Sequence, residues 1–427
     1  MNRSTRAGRA LAVAGAVALV LTACSGGSDD AGAEETADGG TGEPLLIGTV
    51  LPVTGSLEQL GPPEIAGVDL AVQEINEAGG LFGADVEVQH TDSSDAKNAS
   101  IATASAQELI SAGVSAIIGA ASSSVTLNIV DDITGAGIVQ VSPANTATDL
   151  SGYADFYFRT APPDSVQGDV LGNLMVGDGA SNVGILVFND SYGTSLRDVV
   201  EGVVTEAGGT VVYGTSGQEF DPDETNFATI VADAIAAGPD AIAILTFTDQ
   251  TPPIVRELAA QGWDMSKTYF VDGNLENFGT DGATGFPAGT LENAQGTLPG
   301  AFPSEEFQAR LLEVDPGLTG FSYGPEAYDA TMLVALAALK GGDSSGETIQ
   351  ANMAAVSGAD GGTDCTGWEE CSQLLEDGED IAYQAVSGVG PFNDANDPSS
   401  AFIGIYQFGA DNMYTFNRSE EGEVPED

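Results

Sequence analysis

Four short stretches of this chain carry side chains able to hold a small charged molecule. Ile117-Ile118-Gly119-Ala120-Ala121 runs into Ser122-Ser123-Ser124 just before a helix. Serine hydroxyls and the free N–H groups of a helix start can hold a carboxylate; plain helix capping is the competing reading. Val139-Gln140-Val141 ends in the polar turn Ser142-Pro143-Ala144-Asn145-Thr146. Asn189-Asp190-Ser191-Tyr192-Gly193 follows a strand and precedes a helix, which lets Tyr192 face a cleft or simply pack. Asp272, in Phe270-Val271-Asp272-Gly273, closes another strand with a carboxylate suited to an ammonium group, or to a turn. The ends of strands matter because open α/β sheets bind ligands outside their carboxyl ends.

Signals for catalysis are poor. His90 is the only histidine, and no Ser-His-Asp arrangement is readable around it. The sequence has no phosphate-binding Gly-Lys loop and no zinc motif, so no cofactor and no metal are expected. Carboxylates are so abundant that pairs of them mean nothing without a structure.

The elements that position these stretches alternate. Strand-like runs at Leu45–Leu51, Val86–His90, Ser115–Ile118 and Ile138–Val141 are separated by helix-like runs at Glu64–Glu77, Ala96–Ser111 and Val125–Thr134. Ile65, Val68, Leu70, Val72 and Ile75 lie mostly along one side of the first helix, which stops at Gly79-Gly80. Such alternation predicts a parallel sheet with helices on both faces. The pattern then restarts, with strands at Val183–Phe188, Val211–Tyr213, Ala241–Leu245 and Tyr269–Val271. Helices are expected at Ser165–Val176, Ser195–Ala207, Asn226–Ala237 and Ile254–Ala260. The fold class is therefore α/β, two doubly wound parallel-sheet lobes. Arg159-Thr160-Ala161-Pro162-Pro163 reads as a bridge between them and Leu298-Pro299-Gly300 as a return crossing. Helices follow at Ser304–Leu312 and Tyr328–Lys340, and a hairpin at Phe402–Phe408 and Met413–Phe416 turns at Gly409-Ala410-Asp411-Asn412. The expected division is lobe 1 at 45–161 and 300–395, lobe 2 at 162–299 and 396–418, and an acidic tail at 419–427.

Ahead of the first strand stands a different kind of segment. Arg3, Arg6 and Arg9 precede an apolar run from Ala10 to Leu21, followed by Leu21-Thr22-Ala23-Cys24. A basic start, an apolar middle and small residues before a cut form a secretory signal over residues 1–23. The run is too short for a permanent span. A cysteine directly after Leu-Thr-Ala resembles a bacterial lipobox, which implies cleavage before Cys24, lipid on its thiol, and a location on the outer face of the cell membrane. Residues 24–44 are nearly free of large apolar side chains and read as a flexible acidic tether.

The charge balance excludes some partners. The chain has 11 basic and 64 acidic residues, and three of the basic ones lie in the signal, so the chain from Cys24 on carries 8 against 64. Nucleic acid and anionic lipid surfaces are poor partners for it. Only three lysines, abundant acids, and many Gly and Ala fit adaptation to salty surroundings, and equally a solvated acidic surface. Besides Cys24 there remain Cys365 and Cys371, six apart; outside the membrane such a pair forms a local disulfide.

Taken together the segments resemble the leucine/isoleucine/valine-type substrate-binding proteins of ABC transporters, the type I periplasmic binding proteins. The resemblance rests on Ile47-Gly48-Thr49-Val50-Leu51-Pro52-Val53-Thr54-Gly55, Gly61-Pro62-Pro63-Glu64-Ile65-Ala66-Gly67-Val68 and Glu74-Ile75-Asn76-Glu77-Ala78-Gly79-Gly80. It continues through the serine stretch, Phe158-Arg159-Thr160-Ala161-Pro162, the Tyr192 stretch, and Phe220 to Phe227. Order and spacing agree from about Leu45 to Phe416. What the resemblance implies is two lobes joined by three crossings and closing like a hinge on a ligand. Ser123 and Thr146, with the Ala144 backbone beside them, match positions that hold an amino acid's carboxylate and ammonium. Tyr192 matches an aromatic that closes over the ligand, and Asp272 an acid that takes the ammonium. Phe247 falls where the family has a second tyrosine, and keeps the ring without the hydroxyl. Asp272 is one methylene shorter than the glutamate of branched-chain binders, and Leu60 is aliphatic where an aromatic can occur. The implied function is a lipid-anchored, monomeric receptor that captures an α-amino acid and delivers it to permease subunits. Amides, urea and small aromatic acids are further ligands of the family. A sensor of the same fold is the alternative, and an enzyme is not expected.

Overall fold

Alternating apolar side chains on short parallel strands leave both faces of a sheet in need of cover, and helices supply it. In the computed structural model, which describes residues 44–424, β1 (Leu46–Leu51), β2 (Glu87–Asp92), β3 (Ala116–Gly119), β4 (Val139–Ser142) and β5 (Tyr157–Arg159) form the first sheet. Its order is β2-β1-β3-β4-β5, parallel throughout. Connecting helices are α1 (Gly61–Glu77), α2 (Ala99–Ala112) and α3 (Ser123–Gly135). The two faces read directly from β3: Ala116 and Ile118 join one apolar core with α1, while Ile117 joins another with α2 and α3.

The second lobe follows as α4 (Asp164–Gly177), β6 (Asn182–Val187), α5 (Ser191–Glu206), β7 (Thr210–Tyr213), α6 (Ala228–Ala236), β8 (Ala241–Leu245), α7 (Thr251–Ala260), β9 (Thr268–Phe270) and β10 (Gln295–Pro299). The chain then returns to the first lobe with α8 (Glu305–Val314), α9 (Gly324–Gly341), α10 (Gly346–Ser357), β11 (Thr363–Cys365), α11 (Gly367–Glu376) and β12 (Ile381–Tyr383). It crosses a third time into β13 (Ser400–Phe408) and β14 (Tyr414–Glu423). The second sheet has the order β14-β13-β10-β9-β8-β6-β7. It is parallel from β10 to β7 and antiparallel at the β13–β14 edge, so it is mixed rather than purely parallel.

The expected elements are present, with instructive shifts. Leu298-Pro299-Gly300 is the end of a strand, β10, as well as the crossing that follows it. β14 runs on to Glu423, through residues that composition assigns to an acidic tail, because β13 offers it a full antiparallel partner. α5 starts four residues earlier than expected, since the Asp190 side chain accepts the Tyr192 N–H and caps the helix there. Residues 346–383, for which the sequence suggested no elements, form α10, β11, α11 and β12. Cys365 and Cys371 are disulfide-bonded and tie β11 to α11. Residues 1–43, including the signal-like segment, Cys24 and most of the tether, lie outside the described residues. Among the described residues no helix is long and apolar enough to cross a membrane.

The hinge is pinned by one buried ion pair. Arg159, at the end of β5, is fully buried and donates to both carboxylate oxygens of Asp397, at 2.6 and 2.8 Å. The same guanidinium donates to the Ala147 carbonyl at 2.9 Å and to Ser151 Oγ at 2.6 Å. The first crossing, the third crossing and the turn that carries Thr146 therefore share one bidentate anchor, a geometry well matched to arginine.

Candidate functional site

The three adjacent serines divide their work. Ser122 caps α3, accepting the Val125 N–H at 3.4 Å. Ser123 Oγ accepts the Ala147 N–H at 3.3 Å, which ties the helix start to the turn after β4. Ser124 Oγ reaches the other lobe, donating to Asp190 Oδ2 at 2.6 Å and lying 2.7 Å from Ser191 Oγ. Two helix starts thus meet across the cleft. Further links between lobes run from Thr148 to Ser195 Oγ, with the N–H at 2.9 Å, and from Thr248 Oγ1 to the Ser56 carbonyl at 2.8 Å. The lobes are closed.

Between them lies a small cavity of about 10 Å³, roughly the room of one water molecule. Ser123, Ala144, Tyr192, Phe247 and Asp272 line it, together with Leu57, Leu60 and Tyr323. Tyr192 stacks on Phe247, with ring centroids 5.3 Å apart and planes 16° from parallel. Gly273 allows this: a Cβ there would stand 2.9 Å from Phe247 and 3.0 Å from Tyr192. Asp272 is the electrostatic centre. Tyr192 Oη donates to Oδ1 at 2.6 Å and Tyr323 Oη to Oδ2 at 2.8 Å. Burial raises the Asp272 pKa, and these hydroxyls act in the opposite direction. Because Tyr323 stands at the start of α9 in the first lobe, its bond to Asp272 is itself a latch. Tyr323 holds a left-handed backbone, φ +61°, uncommon for a bulky side chain.

Thr146 does not line the cavity. It is fully buried, and its Oγ1 has no hydrogen-bond partner among the described residues. Asp164, the first residue of α4, is equally buried; neither carboxylate oxygen has a well-aligned hydrogen bond, but the Ser195 and Thr146 hydroxyls lie close enough to oppose the rise in its pKa. Its backbone N–H donates to the Thr146 carbonyl at 2.6 Å. Burial, reinforced by the Asp272 charge, pushes the Asp164 pKa up to about 7. Buried polar groups without a well-aligned hydrogen bond are rare in folded proteins. His90 is engaged elsewhere, between Thr49 Oγ1 and Asp69. Among the described residues no group of three or more His, Cys, Asp or Glu could hold a metal ion.

The profile of the family described as periplasmic binding protein matches residues 44–373. The chain belongs to the periplasmic binding protein family. Among its relatives is the leucine-, isoleucine-, valine-, threonine- and alanine-binding protein of Pseudomonas aeruginosa. It is 27% identical over 316 residues, which cover 71% of this chain and 80% of the relative. Another is BasB of Halobacterium salinarum, the substrate-binding protein of a chemotactic signal transduction system, 25% identical over 383 residues, 85% of this chain and 86% of the relative. The solved structure of the branched-chain amino acid transporter substrate-binding protein LivJ from Streptococcus pneumoniae, in complex with isoleucine, has a TM-score of 0.71 at 21% identity. The match covers 90% of this chain and 100% of that one. The two-lobed fold expected from sequence is thus the fold of this periplasmic binding protein.

Five of the six side chains singled out from sequence share one cavity, and Thr146 stands apart from it. Neither Tyr323 nor Asp164 is among the residues that sequence singled out. For Tyr323 the available signal was Gly324-Pro325, which starts a helix and places the preceding residue at its tip. For Asp164 it was Pro162-Pro163 immediately ahead, a helix start at the foot of the bridge.

Proposed function

We propose that this protein is the extracytoplasmic receptor of an ABC importer, closing its lobes over a small ligand, in first place an α-amino acid. The observation that carries the reading is the convergence of Ser123, Ala144, Tyr192, Phe247 and Asp272 on one enclosed cavity between closed lobes. In this reading Ser123 and the Ala144 backbone meet the ligand carboxylate, and Asp272 meets the ammonium through charge-assisted hydrogen bonds. Thr146 and Asp164 stand outside the closed cavity, with Asp164 close enough to feel the Asp272 charge, and they reach a ligand only where the cleft widens around it. Tyr192, Phe247, Leu57 and Leu60 cover the apolar part, and binding rather than catalysis is the task. For the ligand to enter, the lobes open and the Tyr323–Asp272 latch breaks.

Cys24 would carry the lipid that holds the receptor at the outer membrane face, and permease subunits are its partners, approached by a monomer. The test is a thermal-shift screen of the purified protein at high salt against amino acids, amides, urea and aromatic acids. A ligand at a hundredfold excess over its Kd adds about 2.7 kcal/mol. A shift with α-amino acids supports the reading; a shift only with amides, urea or aromatic acids refutes the ammonium site. A second reading, a sensor, has the likeness to the chemotactic BasB in its favour. Affinity capture from membranes separates the two, by recovering permease subunits or a signal transducer.

A further inference from the structure

Beyond Tyr323, away from the cleft, lies a larger cavity of about 370 Å³, a size usual for small-molecule sites. It is framed by the end of β10, the loop ahead of α9, and the β13–β14 hairpin. Six aromatic rings wall it: Phe302, Phe321, Tyr323, Tyr406, Tyr414 and Phe416. Phe302 and Phe416 stack at its mouth with centroids 5.2 Å apart, and they are 49% and 41% exposed. Two large exposed rings side by side are unusual on so acidic a surface.

The chamber's one charged lining residue among those described is Glu326. It is 2% exposed. Its carboxyl lies against Gly300, where an added Cβ would meet Oε1 at 2.1 Å, and its charge is felt by the Tyr323 and Tyr406 hydroxyls. Its own backbone N–H, rather than another side chain, is what the Glu326 carboxyl faces among the described residues. Behind it Glu64 is fully buried with both oxygens unpartnered. Burial raises the pKa of both acids well above the usual range; Asp329 adds to the effect at Glu326, and Glu326 adds to it at Glu64. No Lys, Arg or His lines the chamber among the described residues. An anion would therefore find no positive charge to meet it. In the empty chamber burial favours the protonated form of Glu326, and a cation seated beside it favours the carboxylate instead, the proton passing to solvent. An alkylated ammonium supplies that cation: its charge answers the ionised Glu326, and its methyl groups need no hydrogen bonds and pack on aromatic faces.

We propose that this chamber is a second ligand site, separate from the cleft, for a small alkylated ammonium cation. Asn277, Gln308 and Ser322 on its wall offer partners for a polar tail on such a cation. Because Tyr323 lines both spaces, an occupant would press on the residue that latches the lobes.

The probe is choline, titrated calorimetrically into the purified protein at fixed ionic strength beside its uncharged isostere 3,3-dimethylbutan-1-ol. Saturable choline binding at least tenfold tighter than the isostere is expected. Glu326→Gln should weaken choline tenfold or more and leave the isostere unchanged. Phe302→Ala, at an exposed position that does not threaten folding, should weaken choline several-fold, and holds the test open if the Glu326 variant does not fold. Ser123→Ala, a cleft variant that touches neither Asp272 nor Tyr323, should leave choline binding intact, so failure of the cleft reading and failure of this one are told apart. Absence of choline binding, equal binding of the isostere, or loss of choline binding in the Ser123 variant would each overturn the proposal.

Discussion

Replacing Asp272 tests the cleft at its electrostatic centre. Its two oxygens accept hydroxyls from opposite lobes, at 2.6 Å from Tyr192 and 2.8 Å from Tyr323. In the ligand-bound protein the same carboxylate would face the ligand ammonium. Asp272→Ala removes a charged hydrogen bond worth about 1.5–3 kcal/mol and the interlobe bond from Tyr323, about 1 kcal/mol; the Tyr192 bond lies within one lobe and is the same with and without ligand. The sum is about 3 kcal/mol, somewhat over a hundredfold in Kd. Asp272→Asn keeps the shape and one acceptor but loses the charge, for about 2 kcal/mol or roughly thirtyfold. Tyr323→Phe breaks only the interlobe bond, for about 1 kcal/mol or roughly fivefold. The assay is calorimetric titration of the amino acid found by the screen, at one NaCl concentration for all four proteins. Loss must rank Ala, then Asn, then Phe. An Asn variant that binds like the wild type would show that no charge is exchanged at Asp272, and the ammonium assignment would fall.

Three further outcomes follow from the same groups. Arg159→Met should destabilise the protein by about 3–5 kcal/mol, because it strands the buried Asp397; a urea melt within 1 kcal/mol of wild type would show that the hinge anchor is idle. Asp164 has a folded pKa of about 7 against an unfolded value near 3.9. Between these values the folded state holds the extra proton, so this residue's contribution to stability is fully present below about pH 4 and is lost as pH rises to about 7. Asp164→Asn should therefore flatten the fall in melting temperature between about pH 4 and about pH 7, and an unchanged slope would rule the residue out. With 64 acids against 11 bases, raising NaCl from about 0.1 to about 1 M, which shortens the Debye length from about 10 to about 3 Å, should raise the melting temperature. A flat or falling trend would mean that self-repulsion is not limiting.

The site was legible in the sequence wherever it hangs on the carboxyl end of a strand. Ser123 follows β3, Ala144 follows β4, Tyr192 follows β6, Phe247 follows β8 and Asp272 follows β9. A strand is recognised from its own apolar run, and the residues just past it are delivered to the cleft by sheet geometry alone. Tyr323 obeys no such rule. It stands before a helix that follows no strand, and it reaches Asp272 because α9 docks on α1 so closely that a Cβ on Gly67 would strike the Gly324 carbonyl at 2.2 Å. That docking also explains Glu64. As a charged residue in the first turn of α1 it reads as solvent-facing, yet α9 lies over it and leaves it with no exposure at all. Helix amphipathicity can state which side of α1 is apolar, not which polar side chains the rest of the chain will cover. The chamber behind Tyr323 is the extreme case: its walls come from β10, the loop ahead of α9, and a hairpin some hundred residues further on. No local pattern marks any of them, and only their meeting leaves a buried carboxyl facing aromatic rings. The features that sequence missed are thus those made by helix-on-helix docking and by the third crossing.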